Sequence, residues 1–253
     1  MRQVTDVAEL EEFLNRDWTW SGFAIGDLEP ELMSHCEWWC EGDALVLLFD
    51  GLSPRLACHC GGRAGLAEIV ASIRDEEVWV NVRPQFEAEF TRVYRPDKCV
   101  RMRRMYLQKW VAPEGVAESL HENNREEVEE LLAHGEWVLF LPAMLKTGFF
   151  RGVRDGGRLV AMAGVHLAST RFNIAALGSV FTHPSYRQRG LARLCLTHVI
   201  ASLQEQGINR IVLNVEDSND RAKRVYERVG FESALVYLDG ECLRLTGPAV
   251  PAR

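Results

Sequence analysis

An arginine- and glycine-containing turn stands where a strand-like segment meets a helix-like one. It reads Arg187-Gln188-Arg189-Gly190-Leu191-Ala192, after the apolar stretch 177–181. The first N–H groups of a helix lack intrahelical partners, and the helix dipole adds partial positive charge, so anions bind there. Gly190 lets the main chain approach a bulky phosphate, and Arg187 and Arg189 add charge-assisted donors. The turn therefore predicts a diphosphate-binding site.

A second polar group lies on the next helix-like segment. Asn219, Ala222 and Tyr226 follow one another at spacings of three and four residues, which places them on one face of a helix. That face carries an amide, a small side chain and a phenol beside the end of the strand-like stretch 211–215. A tyrosine there can also be a buried residue that packs the last helix on the sheet.

Taken in order, the two groups resemble the coenzyme A core of the GCN5-related N-acetyltransferases. The pattern is Arg-x-x-Gly-x-Ala, a helix, a strand, and Asn-x-x-Ala-x-x-x-Tyr-x-x-x-Gly-Phe ending at Gly230-Phe231. The resemblance covers residues 113–246 well and the first 110 residues weakly. It implies an α/β (α+β) acyltransferase fold, with a mixed, mostly antiparallel central sheet flanked by helices.

The same resemblance implies that acetyl-CoA is the co-substrate and that an amine attacks its thioester directly in a ternary complex. The pantetheine arm would lie where the strand ending at Thr182 splays from the next strand, and a backbone N–H near Val180 would support the oxyanion. The diphosphate would sit on the N–H groups from Gln188 to Ala192, and Asn219 and Asn214 would hydrogen-bond the arm. The predicted cofactor-binding residues are Val180, Phe181, Thr182, Arg187, Gln188, Arg189, Gly190, Leu191, Ala192, Asn214, Asn219 and Tyr226.

Tyr226 is the predicted general acid for the leaving thiolate, because the reference pKa values of a phenol and a thiol are about 10 and about 8.5. Relatives often carry a glutamate on the strand that corresponds to 174–182, and this sequence has none there. Glu216, at the end of the next strand, is the nearest carboxylate and the predicted base. His166, His183 and water stay open as alternatives.

Periodicity and turn residues predict the elements that position these groups. Asp155-Gly156-Gly157 has the composition of a hairpin turn. Helices are predicted at 4–16, 29–38 and 123–134, strands at 44–49, 55–59, 116–120, 149–153, 159–167 and 174–182, and a disordered tail at 247–253.

The first 112 residues contain a faint copy of the second half. Residues 63–67 align with 188–192, and residues 78–82 align with 211–215. Glu87 and Phe90 stand where the copy needs Asn219 and Ala222, and Gly62 stands where it needs Arg187. We therefore predict a degenerate acetyltransferase-like domain at 1–112 and a catalytic domain at 113–253. The alternative is the similarity that any two strand–helix–strand–helix units share.

Composition narrows the class of protein. A net charge of −7 argues against a non-specific nucleic-acid surface, and no apolar run is long enough to span a bilayer. The acidic N-terminus does not read as a signal peptide, so we expect a cytoplasmic protein. Seven scattered cysteines argue against a disulfide framework. The candidate zinc ligands are Cys36, Cys40, Cys58, His59 and Cys60, but they include no clean Cys-x-x-Cys pair, and free cysteines are usually small reduced hydrophobes. No metal is therefore expected.

The leading hypothesis is an N-acetyltransferase acting on a small amine or a peptide amino group, with no nucleic acid or membrane partner and with a homodimer left open. The first alternative is a non-catalytic acyl-CoA-binding protein. A nucleotide-binding protein that uses the 187–192 turn ranks last. The turn has neither GxGxxG nor a P-loop lysine, and no metal-binding carboxylate stands at the expected place.

Overall fold

The computed structural model describes residues 1–135 and 138–245, which form two compact units. Unit 1 comprises Met1–Arg103, Glu216–Ser218 and the described residues from Leu235 to Leu245. Unit 2 comprises Arg104–Val215 and Asn219–Ala234. The predicted disordered tail, Gly247–Arg253, lies outside the described residues. The domains predicted at 1–112 and 113–253 differ from these two compact units, and they stay a prediction.

Unit 1 is a mixed sheet with short helices. Its elements are β1 (Arg2–Val4), α1 (Val7–Asn15), α2 (Trp18–Gly26), α3 (Pro30–Met33), β2 (Cys36–Glu41), β3 (Ala44–Phe49), β4 (Leu56–Gly61), α4 (Leu66–Ser72), β5 (Glu77–Val82), α5 (Glu87–Thr91), the first ten residues of β6 (Tyr94–Leu107) and the later residues of β12 (Phe231–Arg244). Its sheet follows the order β1-β2-β3-β4-β5-β12, in which β4 and β5 are parallel and the other neighbours antiparallel.

The first helix forms because its ends and its apolar spacing agree. The Asp6 carboxylate accepts a hydrogen bond from the Ala8 N–H at 2.8 Å, which caps the helix, and Leu10 and Leu14 are buried on one face. The helix predicted at 29–38 is wrong beyond Met33. Trp38 lies instead in β2, fully buried, because residues 36–41 pair antiparallel with β3.

Unit 2 carries the two predicted polar groups. Its further elements are β7 (Glu118–Leu120), α6 (Arg125–Leu132), β8 (Phe150–Asp155), β9 (Arg158–Ser169), β10 (Ile174–Thr182), α7 (Leu191–Glu205), β11 (Arg210–Glu216) and α8 (Asp220–Val229). Short 3-10 turns lie at Pro84–Phe86 in unit 1 and at Glu122–Asn124, Pro142–Thr147 and Pro184–Tyr186 in unit 2. The sheet of unit 2 follows the order β6-β11-β10-β9-β8-β7, and among β7–β11 the β10–β11 pair is parallel and the other pairs are antiparallel.

The hydrophobic core of unit 2 fixes the position of β10, β11 and α7. Val199, Ile200 and Leu203 on α7 are fully buried, as are Ala175 of β10 and Ile211 of β11. Burying apolar side chains from both faces of a strand pair holds that pair at a defined place. The predicted fold class, a mostly antiparallel sheet flanked by helices, is confirmed, and so are the hairpin around 155–157 and the bounds of β10.

Both units contain the same order of elements around their parallel pair. In unit 1 the order is β2-β3-β4-α4-β5-α5-β6, and in unit 2 it is β8-β9-β10-α7-β11-α8-β12. Each parallel pair is bridged by one helix, as a crossover requires. The common order supports the predicted internal repeat, and the ancestry of unit 1 stays a prediction.

Candidate active site

Two parallel strands of unit 2 separate part-way along their length. β10 pairs with β11 from Ile174↔Arg210 to Leu177↔Leu213, and the ladder ends there although both strands continue. Residues 178–182 of β10 therefore lie outside this ladder. Backbone N–H and C=O groups leaving a ladder need other partners, so such a stretch can accept an extended ligand as a further strand.

The end of β10 carries an orphaned polar atom. The hydroxyl oxygen of Thr182 is buried, and it has no hydrogen-bond partner among the described residues. Val180 is partly exposed, whereas the Phe181 side chain is buried and lies against Gly135. Only the backbone of Phe181 could therefore contact a ligand in the predicted way.

The turn that precedes α7 is open. Gly190 is the N-cap of α7 with φ 78°, and its cap position makes no side-chain hydrogen bond. A Cβ built on Gly190 would find no atom within 4 Å. Gln188 also has a positive φ, of 66°, and 187–190 are all exposed. The space beside Gly190, at the start of a fifteen-residue helix, is therefore open, as an anion site on the first N–H groups requires.

The two arginines of the turn are partly ordered by local contacts. Arg187 Nε donates to the Thr182 carbonyl at 3.3 Å, and an Arg189 guanidinium nitrogen donates to the Ser185 carbonyl at 3.4 Å. The Arg189 guanidinium carbon also lies 4.8 Å from the centre of the Tyr186 ring. Both charges remain at the surface beside the turn, while Leu191 and Ala192 are half-buried on α7.

The two predicted asparagines already make internal hydrogen bonds. Asn219 Oδ1 accepts from the Ala222 N–H at 3.0 Å and caps α8. Asn214 Oδ1 accepts from Arg104 Nε at 2.6 Å, and Arg104 is buried. If these residues bind a ligand, they do so through the amide nitrogen or by exchanging a bond.

Tyr226 lies on α8 and is 9% exposed. Its ring meets Phe231 edge-to-face, with 6.2 Å between ring centres. Burial raises the pKa of the phenol to about 12. The phenol is therefore protonated at any physiological pH, as a proton donor must be.

The candidate bases Glu216, His166 and His183 differ in exposure and in hydrogen bonding. Glu216 is exposed, belongs to unit 1 and accepts a hydrogen bond from the Ser218 hydroxyl. Burial lowers the pKa of His166, which also hydrogen-bonds the Leu139 backbone. His183 lies against His134 with 4.5 Å between ring centres; desolvation first, and then the neighbouring charges, lower its pKa. The structure thus brings the turn, β10, Asn214, Asn219 and Tyr226 into one unit, without Glu216.

The family model described as Acetyltransferase (GNAT) family matches residues 104–231, half of the chain. The chain belongs to this family. The matched GNAT segment starts at β6 and ends with α8 and the first residue of β12, so it contains both predicted polar groups.

Relatives within the GNAT family match shorter stretches. The chain is 32% identical over 75 residues to the ribosomal protein bS18-alanine N-acetyltransferase of Escherichia coli K12, covering 30% of this chain and 51% of that enzyme. It is 35% identical over 108 residues to the mycothiol acetyltransferase of Acidimicrobium ferrooxidans, covering 42% and 33%. The chain thus spans about half, or less, of the length of these curated relatives.

Solved structures share the fold over almost the whole chain. A Drosophila protein of 17% identity aligns with TM-score 0.68 over 98% of this chain and 99% of its own. A GCN5-related N-acetyltransferase from Kribbella flavida, also of 17% identity, aligns with TM-score 0.60 over 90% and 95%. At this identity the likeness shows a common GNAT fold.

The structure adds contacts that sequence reasoning missed. Gly178-Ser179 interrupts an apolar strand, which is a sequence sign of a bulge, and Ser179 proves to be buried with a positive φ of 51°. No sequence sign pointed to Leu139, whose carbonyl accepts from the Ser179 hydroxyl at 2.8 Å.

Two further features concern metal ions and membranes. Among residues 1–135 and 138–245, the side chains include no group of three that could hold a metal ion, and His59 Nε2 is hydrogen-bonded to the Gly62 carbonyl at 2.8 Å. Within the same residues, the helices are too short or too polar to cross a bilayer.

Proposed function

We propose that this GNAT protein is an acetyl-CoA-dependent N-acetyltransferase that transfers the acetyl group to a primary amine by direct attack in a ternary complex. One observation carries the proposal: the ladder between β10 and β11 ends at Leu177, and the helix that connects these two strands begins at a turn opened by Gly190. The first feature suits a strand-like pantetheine arm and the second suits a diphosphate. Their combination within one unit is what acetyl-CoA needs.

The residues present fit this co-substrate. The open space at Gly190 admits a phosphate close to the main chain, and Arg187 and Arg189 add positive charge at the surface. The orphaned Thr182 hydroxyl would gain a partner from a ligand along β10. In this proposal Val180, Phe181 and Thr182 bind through their backbones, and Gln188, Leu191 and Ala192 through their N–H groups.

Tyr226 is the proposed general acid, and Asn219 and Asn214 are proposed to contact the pantetheine arm. Support for Tyr226 comes from its burial, which keeps the phenol protonated, and from its place on α8 seven residues after the capping Asn219. Glu216 stays a proposed base, with His166, His183 and water as its competitors. Holding amine and thioester in one cleft supplies much of the expected rate.

The acceptor is proposed by class only. The two relatives named above are, by their names, a ribosomal protein bS18-alanine N-acetyltransferase and a mycothiol acetyltransferase. We therefore propose a small amine or a peptide amino group as the acceptor. A cytoplasmic location and a homodimer also remain proposals.

Calorimetric titration of the full chain with acetyl-CoA, followed by a thiol-release assay over small amines and peptides, tests the proposal. Gly190→Asp should weaken binding at least about thirtyfold, because a carboxylate would then face the diphosphate and fill its space. Gly207→Asp is the matched control. Gly207 has φ 81° and open space at the other end of α7, so the same backbone strain should leave affinity within about twofold.

Three results would count against the proposal. Absence of acetyl-CoA binding would contradict the assignment of the 187–192 turn as a diphosphate-binding site. If Gly190→Asp and Gly207→Asp weakened acetyl-CoA binding equally, backbone strain and not the loss of a phosphate site would be the cause. Binding without turnover of any amine would favour the non-catalytic acyl-CoA-binding protein instead.

A further inference from the structure

A bulge in β10 places two residues opposite one residue of β9. The register shifts between Gly178 and Phe181, so Ser179 and Val180 face the single residue Ala163. Ser179 has φ 51°, in the left-handed region, which residues other than glycine disfavour. Because a bulged residue is not held by a regular ladder, another contact must keep Ser179 in this conformation.

The contact comes from the segment before the 3-10 turn at 142–147. The buried Ser179 hydroxyl donates to the Leu139 carbonyl at 2.8 Å. The His166 ring hydrogen-bonds the same backbone, and it fits because Gly178 has no side chain: a Cβ there would lie 1.9 Å from His166 Nε2. We call the four residues Leu139, His166, Gly178 and Ser179 the Leu139 clamp.

The clamp acts on the next peptide group. The N–H of Val180 belongs to the planar peptide whose carbonyl is that of Ser179, so the Ser179 ψ angle helps to set its direction. In the proposed reaction, a backbone N–H near Val180 supports the oxyanion. Such a donor helps only if it is already aimed at the place where charge develops.

We propose that Ser179 is a positioning residue for acetyl transfer, whose hydroxyl bond to Leu139 fixes the bulge and thereby aims the Val180 N–H. The inference rests on the proposed function. It assigns Ser179 no contact with substrate, so its loss should affect the transfer step more than binding of acetyl-CoA.

Three full-length variants test this role. Ser179→Ala removes the hydroxyl and keeps the disfavoured φ, whereas Ser179→Gly removes the hydroxyl and the conflict with φ together. Ser202→Ala is the matched control, because Ser202 on α7 of the same unit also donates to backbone carbonyls, those of Val199 and His198. The measurements are kcat, the acetyl-CoA Kd, and hydrogen exchange of peptides covering 174–182 by mass spectrometry.

We expect Ser179→Ala to lower kcat at least about tenfold and to keep the acetyl-CoA Kd within about threefold of wild type. Hydrogen exchange in residues 174–182 should be faster in this variant. Ser179→Gly should have a kcat between those of Ser179→Ala and wild type. Ser202→Ala should match wild type in all three. An active wild type with kcat unchanged in Ser179→Ala would overturn this role alone. The role would also be overturned if Ser179→Ala and Ser179→Gly lost kcat and acetyl-CoA affinity to the same extent. An inactive wild type would overturn the proposed function, and the role of Ser179 with it.

Discussion

The acidity of Tyr226 must match that of the thiol it is proposed to protonate. Burial raises the phenol pKa to about 12, whereas a thiol in water has a pKa of about 8.5. Proton transfer to a solvated thiolate would therefore be uphill by about 5 kcal/mol. Burial acts on thiols as well, since it raises the pKa of Cys195 in the same unit to about 12. A thiolate released in a buried cleft would be a comparably strong base.

Tyr226→Phe should lower kcat about a hundredfold, because general acid catalysis contributes roughly 10²–10⁴-fold. The acetyl-CoA Kd should stay within about threefold, since a phenylalanine ring keeps the packing on Phe231. Steady-state kinetics with the best amine and calorimetry measure the two effects. Tyr106→Phe, which removes a half-buried phenol that donates to the Glu232 carboxylate in the same unit, is the control and should behave as wild type.

The pH profile gives a second check on Tyr226. With a pKa of about 12 the phenol stays protonated, so it should cause no fall in kcat up to about pH 10. Full activity in Tyr226→Phe would show that another group, or water, protonates the thiolate.

Single residues show where sequence reasoning stops. Spacing alone predicted that Asn219, Ala222 and Tyr226 share a helical face, because helix geometry is local. Spacing could not predict that Asn214 accepts from Arg104, since 110 residues separate the two along the chain. For the same reason it could not tell which way the Phe181 ring would turn.

At the scale of elements, apolar continuity was the dependable signal. The strand predicted at 174–182 coincides with β10 because its apolar run is long and bounded by turn residues. The bulge inside it depends on how β9 pairs with it, and the sequence carries only the Gly178-Ser179 interruption as a hint. Residues 34–38 were misassigned because the strand at 36–41 forms by pairing with β3, and local spacing does not report such a pairing.

β4 holds a titratable group inside the sheet. His59 is fully buried, with its ring 4.5 Å from the centre of Phe86, and burial is the largest cause that lowers its pKa to about 4. In the unfolded chain the pKa is about 6.5, so the unfolded state binds the proton first as pH falls. The stability linked to His59 is full above about pH 6.5 and declines towards pH 4, by about 3 kcal/mol in all.

We therefore expect the melting temperature to decrease as the pH is lowered from about 6.5 to about 4, and to decrease less steeply in His59→Phe. The variant should begin from a lower midpoint at neutral pH, because it loses the bond to the Gly62 carbonyl. Circular dichroism melts across this range measure both effects. Equal steepness in wild type and His59→Phe would contradict the assignment, and the exposed His35→Gln serves as control.

At the scale of the whole molecule, the two units differ at matching turns. Gly65 starts α4 with φ 87°, as Gly190 starts α7 with φ 78°. The turn at Gly65 is occupied by other atoms of unit 1. The Ala64 N–H donates to the Asp43 carboxylate at 2.7 Å, and a Cβ on Gly65 would lie 2.3 Å from the Glu41 carbonyl. Arg63 is committed to Glu89 and to the Gln85 carbonyl. Unit 1 therefore supplies its own anion where unit 2 leaves open space.

One acetyl-CoA site per chain follows from this difference. Calorimetry on the full chain should give a stoichiometry of about one, because the turn of unit 1 already holds a carboxylate and offers no room at Gly65. Asp43→Asn should keep this value, since removing a charge does not create space. Gly190→Asp should leave no micromolar site anywhere in the chain. Two sites per chain, or one that survives Gly190→Asp, would show that unit 1 binds acyl-CoA and that its turn rearranges to do so.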